Sequence, residues 1–135
     1  MENLYINHLA VFVCAAANLA LGALWYSPLL FYKAWQTETG LTDEQLAKQN
    51  PAKTYGLAFI FSLIMSYNLA FFLGDSATDA LWGTIAGFLA GFGWATLIFA
   101  VIALFEQRSW KYILINGGFI TVYFTLIGFI LGIWR

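Results

Sequence analysis

Charge is what this sequence has least of. Asp, Glu, Lys and Arg make up 10% of its 135 residues, against roughly a quarter in an ordinary soluble domain. So few charged side chains cannot clothe a water-facing surface, so lipid must be the solvent for much of the chain. The formal net charge of −1 gives no basic field, and nucleic acid is excluded as a partner. Cysteine and histidine occur once each, as Cys14 and His8. One of each cannot build a His/Cys metal centre, and a lone cysteine cannot close an internal disulfide. No serine belongs to a recognisable His–acid relay, and no phosphate-binding glycine loop follows a strand. The sequence therefore predicts neither an enzyme nor a cofactor. No acidic or basic side chain lies deep in an apolar run, which argues against a proton-driven pump built on such groups.

What the chain has instead is apolar length. It is 61% hydrophobic, with a mean hydropathy of +0.75. Four intervals carry no Asp, Glu, Lys or Arg: Leu4 to Tyr32, Tyr55 to Gly74, Ala80 to Phe105, and Tyr112 to Trp134. A bilayer core of about 30 Å needs roughly 20 helical residues, and each interval reaches that. Barrel strands would alternate polar and apolar residues, whereas these runs are apolar on all sides. The expected fold is an all-α membrane protein of one domain, with four transmembrane helices in two hairpins. The spans run over about 4–27, 55–74, 80–105 and 111–134. Met1-Glu2-Asn3 supplies no basic n-region, so the first span is not expected to be a cleaved signal peptide.

The connections differ in kind. The long first loop opens at Trp25-Tyr26-Ser27-Pro28, where proline disfavours helix in the residue before it and donates no backbone bond. The first span should bend or end there. Leu29, Leu30, Phe31 and Trp35 beside Lys33 suggest a short segment in the interface, stopped by Gly40. Thr42 with Gln45 forms a capping-box pattern, predicting a short helix to about Gln49, ended by Asn50-Pro51. The second loop, Asp75 to Asp79, is a tight acidic hairpin, and the third, Glu106 to Lys111, is also short.

Lys33, Lys48, Lys53, Arg108 and Lys111 fall in the first and third loops, and only Arg135 falls on the other side. Positive loops stay cytoplasmic. The expectation is an inner-membrane, multi-pass protein with both termini outside. Trp25, Trp35 and Trp110 would mark the inner interface and Trp82 and Trp134 the outer one, with Trp94 mid-span.

The block Gly22-Ala23-Leu24-Trp25-Tyr26-Ser27-Pro28, followed by Leu30-Phe31 and Trp35, resembles the opening signature of the domain of unknown function 1761 family. Gly40-Leu41-Thr42, Asn50-Pro51, Phe105-Glu106 with Arg108, and Asn116 follow in order. The resemblance covers nearly the whole chain. It implies a small, mostly bacterial four-helix membrane protein and brings no activity with it.

Every span carries small or polar residues four apart. They are Ala10, Cys14, Asn18 and Gly22; then Ala58, Ser62, Ser66, Ala70 and Gly74; then Gly83, Gly87, Gly91 and Ala95; and last Gly117, Thr121 and Thr125, leading to Gly128 and Gly132. Between helices in lipid there is no hydrophobic drive, so close backbone approach supplies the attraction. Such ridges serve packing within the chain or contact between subunits, and the third span's glycines are the first choice for a subunit contact. A repeat relating Gly22 and Trp25 to Gly91 and Trp94 is matched by spacing, which chance also explains.

The candidate ligand or cavity residues are Asn18, on the first ridge, the Trp25-Tyr26-Ser27-Pro28 break, and Trp94. Non-helical backbone at membrane depth lines protein cavities. Neutral polar groups in spans also serve simply as glue between helices. His8 reads as a headgroup-level polar residue, and Glu106 and Arg108, beside Trp110, as an interfacial anchor. The function expected is an oligomeric transport or channel-like protein, or a lipid or small-molecule binder, for neutral or apolar ligands. The alternative is a non-catalytic scaffold or accessory subunit that docks a membrane partner through the first loop. The lipid bilayer and a homo-oligomer are the expected partners.

Overall fold

A computed structural model describes residues 4–135. Met1-Glu2-Asn3, on which the signal-peptide expectation rests, lies outside the described residues. Those described are helical and contain no strand. The helices are α1 (His8–Trp25), α2 (Tyr32–Thr39), α3 (Asp43–Ala47), α4 (Pro51–Phe72), α5 (Ala80–Ala90), α6 (Leu97–Phe105) and α7 (Trp110–Ile133). A π-helical segment, Gly91–Thr96, joins α5 to α6. Helices α1, α4, α5 to α6, and α7 are long and apolar enough to cross a membrane. The protein is therefore a multi-pass membrane protein.

Local chemistry sets the boundaries. The Asn7 side chain caps α1 by accepting from the Ala10 N–H at 3.1 Å. Asn50 accepts from Lys53 N–H at 3.3 Å, and Pro51 takes the first helical position. Asn50-Pro51 thus starts the second span, four residues before the expected 55, rather than ending the loop helix. Proline is preorganised for that position because its missing N–H would have no helical partner there. The Thr42–Gln45 capping box forms, with bonds of 3.1 and 2.8 Å, but its helix ends at Ala47. Gly40, at φ +74°, ends α2 in the left-handed region where glycine is unstrained. The acidic second loop is a pair of caps: Asp75 accepts from the N–H and hydroxyl of Thr78, and Asp79 accepts from Trp82 N–H.

Helix α7 is the hub. It packs most extensively on α5 and the π segment on one side and on α1 on the other, and α1 packs on α4. The spans therefore stand in the order second, first, fourth, third. Tyr5 N–H donates to Gly74 carbonyl at 3.0 Å, and the Arg135 guanidinium donates to the carbonyls of Leu73 and Asp75. Residue 5, the second loop and the C-terminus thus share one end, and α2, α3 and the third loop share the other.

The α5–α7 contact is built from missing side chains. A Cβ on Gly83 would come 2.3 Å from the Gly128 carbonyl oxygen, one on Gly87 2.2 Å from the Phe124 carbonyl oxygen, and one on Gly91 2.5 Å from Phe124 Cβ. On the facing helix, a Cβ on Gly128 would meet the Gly83 carbonyl oxygen at 2.2 Å and one on Gly132 the Asp79 carbonyl oxygen at 2.5 Å. The third span's glycines are thus consumed inside the chain. The expectation that they form a subunit contact is corrected: the ridge they need is already on α7.

That ridge does not run on to Ala95 as the fourfold spacing suggested. The π segment adds a residue to the turn, so Thr96 succeeds Gly91 on the buried face. Its hydroxyl lies 3.0 Å from the Gly117 carbonyl and 2.9 Å from the Thr121 hydroxyl.

Replacing Gly87 with Leu should cost about 1–3 kcal/mol or more, because backbone cannot step aside for an inserted side chain. Gly56 has nothing within 4 Å of its would-be Cβ, so Gly56→Ala should be neutral or stabilise by up to ~1 kcal/mol. Unfolding in mixed micelles, followed by circular dichroism, reads both. Equal stability of the two variants would show that the contact is unimportant.

Candidate functional site

Three tethers assemble the end of the molecule opposite the termini. Helix α1 stops at Trp25, and the chain turns through Ser27, whose carbonyl accepts from Leu30 and Tyr32 N–H. This reversal lays α2 against α7. Trp25 donates its indole N–H to the Ile115 carbonyl at 2.9 Å, and its ring fits the notch where Gly118 has no side chain; a Cβ there would be 2.9 Å from the ring. Tyr26 donates its phenol to the Asn116 carboxamide oxygen at 2.5 Å. Ser109 donates to the Glu38 carboxylate at 2.7 Å, tying the end of α2 to the N-cap of α7.

Between these tethers lies a cavity of about 500 Å³. Its aromatic walls are Trp35 from α2, Phe99 from α6, and Tyr112 and Phe119 from α7. Its polar lining comes from Tyr26, Thr39, Arg108 and Asn116, and Leu41 and Ile120 complete it. The Arg108 guanidinium lies over the Tyr112 ring, 5.2 Å from its centroid, a cation–π arrangement. The spacing of Arg108, Tyr112, Asn116 and Ile120 puts them along one stripe leading into α7. The volume and mixed lining fall in the range of small-molecule sites.

Of the six candidate ligand residues, Tyr26 alone lines this cavity. Trp25 is spent as a clamp. Ser27 turns its hydroxyl back to the Leu24 carbonyl at 2.7 Å, and Pro28 is exposed. Trp94 does not flank Trp25; it sits on the outer side of the π segment and is 72% exposed. The matched spacing of Trp25 and Trp94 therefore has no matched environment.

Asn18 belongs to a second polar cluster in mid-span. There Tyr123, 1% exposed, donates to the Cys14 carbonyl at 2.9 Å and lies 3.4 Å from the Ser66 hydroxyl. Ser62 and Asn18 approach the same phenol, and Ser62 donates back to the Ala58 carbonyl at 2.7 Å. Gly22 faces the Phe119 ring, 3.8 Å from its would-be Cβ. His8 pairs with the Tyr67 hydroxyl at 2.8 Å near the opposite end. No group of three or more His, Cys, Asp or Glu that could hold a metal exists among the described residues.

Sequence reasoning missed Arg108, Tyr112, Phe99 and Phe119. Arg108 reads from sequence as an anchor; it stands in the loop just before the Ser109 cap of α7, where helical spacing gives no signal. Phe99 carried no signal, because its direction depends on the π segment.

A family profile for a protein of unknown function, DUF1761, matches residues 9–132. The chain belongs to the DUF1761 family. No curated protein and no solved structure gives a match. Much of the opening block of this DUF1761 chain, Trp25-Tyr26-Ser27-Pro28, thus does positional work: it ends α1 and clamps it to α7 beside the cavity. Tyr26→Phe should cost about 0.6 kcal/mol and at most ~1.7, the range for hydrogen bonds between membrane helices. It should also speed proteolysis within residues 32–49, measured against the wild type in detergent. Unchanged proteolysis would show that the Tyr26–Asn116 bond does not hold the first loop.

Proposed function

We propose that this DUF1761 protein is a membrane binding protein for a small amphipathic molecule, held in the cavity between the end of α1, α2 and the start of α7. One observation carries the reading: about 500 Å³ of space, walled by aromatic rings and entered past polar groups, at the depth where the proline-broken first span meets the loops. Amphipathic molecules concentrate at that depth. The sequence pointed to neutral or apolar ligands; the polar lining favours one with a polar head. Transport would extend this reading and would need several copies around a path, since one four-helix chain seldom encloses one. The scaffold reading draws on α3, which stands largely exposed at the same end. It predicts a stable protein partner on purification instead of a retained small molecule.

Native mass spectrometry from a neutral detergent tests the binding role. Wild type should retain a small-molecule adduct. Leu41→Trp, which puts an indole at the cavity from its loop side, should lose it while eluting as the same folded species. Wild type found bare under lipid-retaining conditions would count against binding.

In the proposed orientation, the cavity end faces the cytoplasm of an inner membrane and both termini face out. Support comes from the five Lys and Arg at the cavity end against Arg135 at the other. Ala77→Cys, in the exposed second loop, should react in intact cells with a membrane-impermeant maleimide. Labelling only after lysis would reverse the orientation.

A further inference from the structure

We infer that the molecule held in the cavity carries an anionic head, a phosphate or carboxylate, that Arg108 and Asn116 receive while an apolar body lies against Trp35, Phe99 and Phe119. This rests on the binding role proposed above and names the ligand's chemistry. The argument is an inventory of what the polar lining has left to offer. Asn116 spends its carboxamide oxygen on the Tyr26 phenol, so its NH2 remains, and that group only donates. Tyr26 spends its own proton in the same bond. Thr39 spends its proton on the Gln36 carbonyl. Arg108 has up to five donors and no acceptor, and the Tyr112 ring beneath it consumes none of them in a hydrogen bond. The Trp35 indole N–H donates to no group among the described residues. The Tyr112 hydroxyl can donate or accept; the rest of what remains is mostly donors, with one fixed positive charge among them.

A neutral hydroxyl head could accept from these donors, but it brings a proton of its own and no charge to meet the guanidinium. A carboxylate or phosphate only accepts, and its planar or tetrahedral oxygens suit the guanidinium fork. The nearest acidic group on the loop side, Glu38, is turned onto Ser109 and does not line the cavity. Glu106 is exposed on the third loop and does not line it either. Lys33 and Lys111, also exposed at this end, add to an attraction for anions. Arg108 itself is exposed at the cavity's rim, so the charge is open to a head arriving from the loop side.

Three probes of equal chain length test the inference: dodecyl phosphate, dodecanoate and dodecanol, titrated into the intact chain in a maltoside micelle and followed by native mass spectrometry. The two anions should bind roughly tenfold or more tightly than the alcohol, as expected for a charge-assisted bond. Arg108→Gln should bring that ratio to about one without weakening the alcohol, and Arg108→Lys should restore part of it. Inorganic phosphate added in competition separates the sources of the anion. If it displaces dodecyl phosphate, the site takes a free anion; if only chain-bearing anions compete, it takes the head of an amphiphile. Equal binding of all three probes, unchanged in Arg108→Gln, overturns the anionic head and leaves the binding role standing. Failure of every probe to bind folded wild type overturns both.

Discussion

The approach of α5 to α7 with no side chain between them is the contact on which the rest of the molecule depends. In lipid the hydrocarbon around a helix is as apolar as its neighbour, so association relies on packing distance and on hydrogen bonds. Gly83, Gly87 and Gly91 against Gly128 and Gly132 bring two backbones to within what one carbon atom would fill. That fixes α7, and the tethers to α1 and α2 are hung from it. Tyr123 reaches from α7 to the Cys14 carbonyl of α1. Ile115 and Asn116 hold the last residues of α1. Ser109, which caps α7, holds α2. The second span meets the hub only narrowly, at Ser66 beside Tyr123, and is carried mainly by α1.

The π segment links this packing to the cavity. A straight α-helix keeping the fourfold glycine rhythm would have put Ala95 on the buried face. The wide turn puts Thr96 there instead, where its hydroxyl closes on Gly117 and Thr121. One inserted residue rotates everything after it by about 100°, given 3.6 residues per turn. This rotation brings Phe99 to the cavity wall and leaves Trp94 facing lipid. Single π turns inside helices often occur at functional sites, and here the consequence is concrete, since one wall of the cavity depends on it.

The elements that sequence could deliver were those governed by local chemistry or by length. Four charge-free intervals set the four crossings, because the bilayer's thickness is a fixed requirement. Gly40 and the Thr42–Gln45 pair marked α2 and α3 because caps are local. Asn50-Pro51 misled because the same pair can close one helix or open the next, and only the span that follows decides between them. The glycine ridge was legible as a packing surface but not as to its partner, since α7 and a second copy offer the same chemistry in one dimension. The cavity was the least legible feature. It is lined by α2, α6, α7 and the ends of α1, and its residues fall together only after the π segment and the reversal at Ser27 have acted.

Asn18 and Asn116 show why polarity alone could not pick the site. Both are asparagines on transmembrane helices, and the sequence favoured Asn18 because it lies on the small-residue ridge. Asn18 sits in hydrocarbon, where an unmet polar group costs several kcal/mol. Beside it the Tyr123 phenol is met by the Cys14 carbonyl and the Ser66 hydroxyl, and no fully buried side-chain nitrogen or oxygen among the described residues lacks a partner. Polar groups that meet one another across helices in this way hold the helices together. Asn116 lies one helix turn beyond Tyr112 and lines the cavity. Its carboxamide oxygen accepts from the Tyr26 phenol, and its NH2 group adds donors to the lining. Place in the fold, rather than polarity or position on a ridge, therefore separates the two asparagines: one lies among contacts between helices and the other lines a cavity.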